Sequence, residues 1–347
     1  MPLLPATRTP DPADAPVLRW GVLGPGEIAG DFVAALQRHT RQRVVAVGSR
    51  SAERAAAFAA TYAVPNVHVG YEALVADPEV DVVYIATPHS EHTANALLAI
   101  AAGKHVLIEK PVAVTADLAG TIFAAAEAAG VFAMEAMWTR FLPQTDVVAQ
   151  LLEDGALGRL SLATADFAGG PAPRDPSSRL LDPAQGGGAL LDLGVYVAWW
   201  SQFTLGTPDA VTARGALGPT GVDEQATLLL EAGEAQGIGV VGLRGRTAWR
   251  ASVVGAAGRV EVDSPYWAAS GLTLFGADGA VADRWEDPYG RPFRQGLCYE
   301  GAATARAIVE GRTGCPEHPA ERAIAVLETL DAARHELGYA DPPGWTA

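Results

Sequence analysis

The chain has 347 residues, 49% of them hydrophobic, with 40 acidic against 25 basic side chains and a formal net charge of −15. That length exceeds one ordinary core and suits two domains, and the acidity disfavours non-specific nucleic-acid binding while leaving room for a local basic pocket. No apolar run reaches the ~18 residues a membrane span needs; Cys298 and Cys315 belong to no CxxC or Cys/His cluster, so no metal site is expected and both thiols read as reduced in a cytoplasmic protein.

Residues 1–16, "MPLLPATRTPDPADAP", lack the apolar centre of a signal peptide and read as a disordered tail or arm. From Val17 onward the pattern becomes strand, turn, helix. "VLRWGVLG", "RVVAVGS", "NVHVG", "DVVYIATP", "KHVLIEKP" and "VFAMEAM" are strand-like, and "EIAGDFVAALQRH", "AERAAAFAATYA", "HTANALLAIAAG" and "DLAGTIFAAAEAAG" have helical spacing. Strands alternating with helices over residues 17–140 predict βαβ units, hence a doubly wound parallel sheet of the Rossmann type with helices on both faces.

The character changes beyond 140. A helix "TDVVAQLLEDG" leads to an alternating "GRLSLATADFA", a Pro/Arg/Ser/Gly loop at 169–188, and one helix "GALLDLGVYVAWWSQFT". Between 208 and 285, "AVTARGAL", "EQATLLLEA", "QGIGVVGLR", "TAWRASVVG", "GRVEVDS" and "GLTLFG" predict a mainly antiparallel sheet, and two helices close the chain. Residues 141–347 are therefore expected to form a second, α+β domain.

Two motifs carry chemistry. Gly24-x-Gly26-x-x-Ala29 follows the first strand and opens the first helix. Glycine at 24 permits the tight turn, glycine at 26 admits a pyrophosphate against backbone, and a small residue at 29 lets helix and strand pack closely; Glu27 and Ile28 lie in the same turn. A ligand-free βα turn is the plainer alternative. At the end of the second strand stand Ser49 and Arg50, with Arg54 in the next helix, where an NAD site usually has an acid. Ser and Arg suit a 2′-phosphate, so NADP is expected, with NAD as the alternative; equally, Ser51 is a helix cap and Arg50 a solvated loop residue.

The GxGxxA turn, "ATPHSEHTANALLAIAAGKHVLIEKP" and "GGGALLDLGVY" resemble the Gfo/Idh/MocA oxidoreductases, over residues 17–337. "EAMWTRFLP" at 135–143 is similar to one branch, the dimeric dihydrodiol dehydrogenases and related NADP-dependent D-xylose dehydrogenases. The resemblance implies a nucleotide domain and a second domain that binds substrate and, in several members, packs its open sheet in a homodimer or higher oligomer. It implies hydride transfer between nicotinamide and a secondary alcohol of a sugar, cyclic polyol or trans-dihydrodiol. A silent NADP-binding sensor and an NAD-dependent glycosidase are the alternatives on this fold.

Oxidising an alcohol requires a base at its hydroxyl and positive charge beside the forming alkoxide. Lys110 ends a parallel strand at the edge where ligands bind, and Pro111 biases it to extended backbone. Asp192 and Tyr196 are i and i+4 on a helix and share a face; tyrosine stands where the family often has histidine. A free tyrosine is too weakly acidic to serve as base near neutrality, and a neighbouring ammonium would correct this. Tyr196 is accordingly the expected acid/base, Lys110 its tuner and alkoxide partner, and Asp192 a substrate-hydroxyl acceptor; a core role is the alternative for Tyr196. Glu109, on the other side of the strand, anchors structure or the nicotinamide ribose. Thr87, Pro88 and His92 resemble the stretch lining the nicotinamide, with His89 and His92 equally readable as helix N-terminal residues. Trp138 and Arg140 are substrate-pocket candidates with a core or interface role as alternative, and Trp199 and Trp200 read as core.

Overall fold

The computed structural model describes residues 4–169 and 177–345; residues 1–3 of the expected tail and 170–176 of the 169–188 loop lie outside the described residues. The first elements are β1 (Arg19–Leu23), α1 (Glu27–His39), β2 (Arg43–Ser49), α2 (Ala52–Tyr62), β3 (Asn66–Val69), α3 (Tyr71–Val75), β4 (Val82–Ile85), α4 (His92–Ala101), β5 (His105–Glu109), α5 (Ala116–Ala129) and β6 (Ala133–Ala136). There follow α6 (Pro143–Glu153), β7 (Leu160–Ala168), α7 (Val195–Leu205), β8 (Ala210–Leu217), β9 (Asp223–Ala232), β10 (Ala235–Gly242), β11 (Ala251–Gly255), β12 (Gly258–Val262), β13 (Leu272–Gly276), β14 (Val281–Trp285), α8 (Leu297–Val309) and α9 (Ala320–Glu336).

The chain separates into two compact units, each described by itself. One comprises Pro10–Phe141 and Arg294–Ile324. Its six strands are parallel, in the order β3-β2-β1-β4-β5-β6. The order reverses between β1 and β4, the switch point at which open α/β sheets leave a crevice beyond their carboxyl ends. Val106, Leu107 and Ile108 have no exposed surface, as expected of a strand covered on both faces. The segment 294–324 belongs here and not with the second unit, unlike the simple division at residue 140. The reason is packing: α8 lies against α1 so closely that a Cβ on Gly301 would sit 2.6 Å from Leu36.

The other unit takes Leu142–Phe293 and Ala325–Trp345 with the stretch that ends at Thr9. Its eight strands run β14-β13-β12-β11-β7-β10-β9-β8, antiparallel throughout except for the parallel pair β7/β10. Helix α7 packs on β7 and β10. The alternating glycines of β10 explain how closely: a Cβ on Gly237 would fall 2.0 Å from Ser201 Oγ, and one on Gly239 2.2 Å from Val197 Cγ1. Val197, Ala198, Trp199 and Trp200 are all buried, at roughly 1.5–3 kcal/mol for each large apolar side chain; the core reading of the two tryptophans agrees. "TAWR" does not extend β11, because Trp249 takes a positive φ of 57° and donates its indole N–H to the Ala168 carbonyl at 2.6 Å.

Residues 4–16 differ from the disordered arm expected of 1–16. Within the second unit, Arg8 forks onto Asp146 at 2.9 Å and Glu153 at 2.8 Å, and Ala6 accepts from Gln150 at 2.9 Å. Within the first, Asp11 O accepts from Arg306 at 2.7 Å and Pro16 O from Gln42 at 2.6 Å. Backbone that satisfies its polar groups on a folded surface has no reason to stay in water.

Candidate active site

The glycine turn sits at the switch point. Gly24 has φ +86°, and a Cβ there would meet the Ala86 carbonyl at 2.7 Å. Gly26 is the N-cap of α1 and supplies no side-chain cap, while a Cβ added to it would meet nothing within 4 Å. A helix start with uncapped amides, positive dipole end and open space in front of it fits a phosphate. Ala29 is fully buried. Sequence reasoning missed Gly30, whose Cβ would lie 2.2 Å from Tyr62 Oη and whose absence lets α2 approach α1. The Glu27 side chain turns to Arg294 at 2.8 Å, so this turn offers a ligand its backbone and not its carboxylate.

At the end of β2, Ser49 is buried with its Oγ accepting from Ser51 N, and Ser51 caps α2 through Arg54 N at 3.2 Å. The capping alternative therefore holds for Ser51. Arg54 reaches the Pro25 carbonyl at 3.5 Å. Arg50 is exposed, pairs with Glu91 at 2.9 Å and lies 5.9 Å from the Tyr71 ring centre. The acid absent from the strand end is thus supplied by a later turn, which no local pattern could have signalled.

The strand "HVLIEKP" ends at Glu109, and Lys110 follows it, half-buried. His92 opens α4 and has no exposed surface; its Nδ1 lies 2.8 Å from the Pro111 carbonyl and its Nε2 2.9 Å from the Thr87 carbonyl. Both ring nitrogens face backbone carbonyls, so the ring clamps the turns that follow β4 and β5 together. Asn95 adds a bond to Thr87 Oγ1 at 3.0 Å, and Pro88 starts the short turn at His89–Glu91. Glu109 is buried and accepts from the Tyr84 hydroxyl, which favours its structural reading over a ribose contact.

Two further carboxylates went unread. Glu135 accepts from Val112 N at 3.0 Å and meets His318 Nε2 at 2.9 Å, both side chains buried. Glu300 is fully buried, and among the described residues neither of its oxygens has a hydrogen-bond partner. Burial pushes the Glu109 carboxyl up, opposed by the Lys110 charge, and burial with Glu109 and Glu135 nearby pushes Glu300 well up. Trp138 is 3% exposed, in keeping with its core alternative, and Arg140 donates to the Glu317 carbonyl at 2.9 Å. Both cysteines are buried, and among the described residues neither is in a disulfide. Among the described residues no group of His, Cys, Asp and Glu could hold a metal ion.

In the second unit the expected single helix begins as a π-turn, Leu190–Gly194, which passes into α7. Such wider turns recur at functional sites. Asp192 lies in the π-turn and Tyr196 in the first turn of α7. Asp192 pairs with Arg179 at 3.1 Å, a partner from the 169–188 loop. The Tyr196 ring packs 5.4 Å from Phe167 and 6.3 Å from Trp267, and those two stack at 4.8 Å.

Residues 18–137 match the family described as "Oxidoreductase family, NAD-binding Rossmann fold", and 146–261 match the Gfo/Idh/MocA C-terminal domain. Trans-1,2-dihydrobenzene-1,2-diol dehydrogenase of Homo sapiens is 34% identical over 94% of this chain and 98% of its own; that of Bos taurus is 32% identical over the same shares. Among solved structures, a 3-ketoreductase from Actinomadura kijaniata in complex with NADP and TDP-benzene superposes with TM-score 0.79 at 26% identity, over 93% of this chain and 98% of that one. An aldose-aldose oxidoreductase from Caulobacter crescentus superposes with TM-score 0.81 at 25% identity, over 92% and 98%.

Proposed function

Because the chain belongs to the Gfo/Idh/MocA oxidoreductases, we propose that it is an NADP-dependent dehydrogenase acting on a secondary alcohol of a sugar, cyclic polyol or trans-dihydrodiol. The observation that carries the reading is the Gly24–Gly26 turn, open in front of an uncapped helix start at the switch point of the parallel sheet. The amides after Gly26 would hold the pyrophosphate, and Ser49 and Arg50 the adenosine 2′-phosphate. When bound, nicotinamide supplies the hydride chemistry. Tyr196 takes the substrate hydroxyl proton, Asp192 accepts a hydrogen bond from a neighbouring hydroxyl, and the Lys110 ammonium favours the alkoxide. The aromatic group Phe167, Tyr196 and Trp267 supports a ring-shaped substrate with an apolar face.

The test is the formation of reduced cofactor with NADP+ or NAD+ and a panel of aldoses, inositols and dihydrodiols. NADP+ should give the higher kcat/KM, and a ratio favouring NAD+ would reject the preference. Arg50→Ala should lower kcat/KM for NADP+ by ~10–100-fold, the equivalent of one charge-assisted hydrogen bond, and leave NAD+ nearly unaffected. Glu91→Gln should shift preference toward NADP+, since it frees Arg50 from a competing carboxylate. No net reduction with any of these substrates would leave a silent binding protein, and aglycone release without net reduction a glycosidase.

The proposal includes a homodimer or higher homo-oligomer through the eight-stranded sheet and a cytoplasmic location. Ile238, 40% exposed on the face opposite Gly237 and Gly239, supports the first. Light scattering should give at least twice the chain mass, and Ile238→Lys should reduce it; a wild-type monomer at micromolar concentration would reject this part. The two buried cysteines, outside any disulfide among the described residues, support the second. Among the described residues, no helix is long and apolar enough to cross a membrane.

A further inference from the structure

Gly188 is built around a carboxylate that the proposed reaction does not use. Asp223, the first residue of β9, has no exposed surface. Its Oδ2 accepts from the Leu190 amide at 2.6 Å, at the first residue of the π-turn. Its Oδ1 is buried against Gly188, where φ is +112° and a Cβ would come within 2.2 Å of that oxygen. Gly187 is held as tightly, since a Cβ there would lie 2.7–2.8 Å from the carbonyls of Arg179, Leu180 and Asp182. No side chain of the π-turn's own N-cap, Ala189, closes the helix start. The cap comes from 33 residues away, and only glycine at 188 leaves it room.

We propose that Asp223 is a positioning residue: by holding the Leu190 amide it fixes the entry and rotation of the helical segment that presents Asp192 and Tyr196. This rests on the reading of those two residues as the reacting pair. A carboxylate at a helix start satisfies an orphan amide and complements the dipole, and a displacement of about 1 Å in a reacting group costs on the order of 10²-fold in rate. The Leu190 bond is charge-assisted only while the carboxyl is ionised. Burial raises that carboxyl to about 7, against the Leu190 amide and the Arg334 charge. Tyr339 is the other titratable group interacting with it, and Asp341 and Asp182 act in turn on Tyr339. Turnover should therefore carry an ionisation near neutrality that belongs to the cap.

Hydrogen exchange over 189–196, kcat and NADP+ affinity are measured together on full-length Asp223→Ala, Asp223→Asn and Gly188→Ala. Asp223→Ala should speed exchange of the Leu190 amide at least tenfold and lower kcat at least tenfold, with NADP+ affinity within twofold of wild type. Asp223→Asn, whose amide oxygen still accepts but which is neutral at every pH, should turn over like the wild type on the acid side and lose the ionisation near 7. Gly188→Ala, which presses on Oδ1, should reproduce the exchange phenotype and keeps the test open if Asp223→Ala does not fold. Unchanged exchange in every variant overturns the proposal, as does a loss of kcat and NADP+ affinity in equal measure. Faster exchange with unchanged kcat leaves Asp223 a structural cap and overturns its positioning role, whereas a near-wild-type kcat in Tyr196→Phe overturns the reading of the reacting pair.

Discussion

Tyr196→Phe is expected to lower kcat by about 10²–10⁴-fold, the range that a positioned acid/base supplies, while NADP+ affinity stays within twofold. The substitution removes one oxygen and keeps the ring that packs against Phe167 and Trp267, so the loss reports chemistry and not folding. A kcat near wild type at all pH values would end the assignment. Lys110→Met is the companion measurement. If the ammonium favours the ionised form of the reacting oxygens, its removal should raise the kinetic pKa on the acid side of the pH–rate profile, because positive charge stabilises the anion. An unchanged profile with weaker binding would return the lysine to a structural role at the strand end. Asp192 sharpens the picture: it is held by Arg179, so a substrate hydroxyl must compete with a guanidinium for it, and Arg179→Ala is expected to act on KM more than on kcat.

Much of the first unit was legible because its physics is local. Helix α1 and strand β2 fall on the residues their periodicity indicated, as does β8 in the other unit, since amphipathic spacing and β-branched runs are written within a single window. The turn Gly24–Gly26 was legible for the same reason. What escaped is of another kind. His92 holds carbonyls at 87 and 111, Glu135 holds a histidine at 318, and Arg50 is matched by Glu91; each partner is supplied by topology and leaves no periodic trace. The five-residue α3 is too short for a helical period to register. The π-turn closes its bonds at i→i+5, a spacing that residue pattern does not signal, so the Asp192–Tyr196 relation read as one α-helical face is carried by two kinds of turn. The glycines before Ala189 resemble a family signature, but the cause of Gly188, a carboxylate on a strand beyond the next helix, is visible only in three dimensions. For the same reason the segment 294–324 could not be assigned to the first unit before its helix was seen on α1.

Glu300 makes the second large prediction. Glu300→Gln is expected to stabilise the protein above neutral pH and to leave it nearly unchanged at pH 5. Among the described residues the carboxyl is fully buried without a hydrogen-bond partner, and its proton is held well above the usual carboxylate range by burial first and then by Glu109 and Glu135. The sign follows from linkage. With a raised folded pKa, the folded state retains a proton that the unfolded chain has released, so the stability present below the unfolded carboxylate pKa is lost as pH rises toward the folded one. Over that window the wild type should lose about 1.4 kcal/mol per pH unit relative to a variant that cannot ionise there. Glutamine keeps the size and the neutral polar character of the protonated acid, so packing is held constant and only the proton is removed from the comparison. Glu109, raised in the same direction, is present in both proteins and acts on Glu300 itself. Urea melts at pH 5 and pH 8.5 measure the difference directly. Parallel stability curves across that range would mean that a cation or water satisfies Glu300 in solution, whereas curves that diverge with rising pH identify an acid kept protonated by the fold.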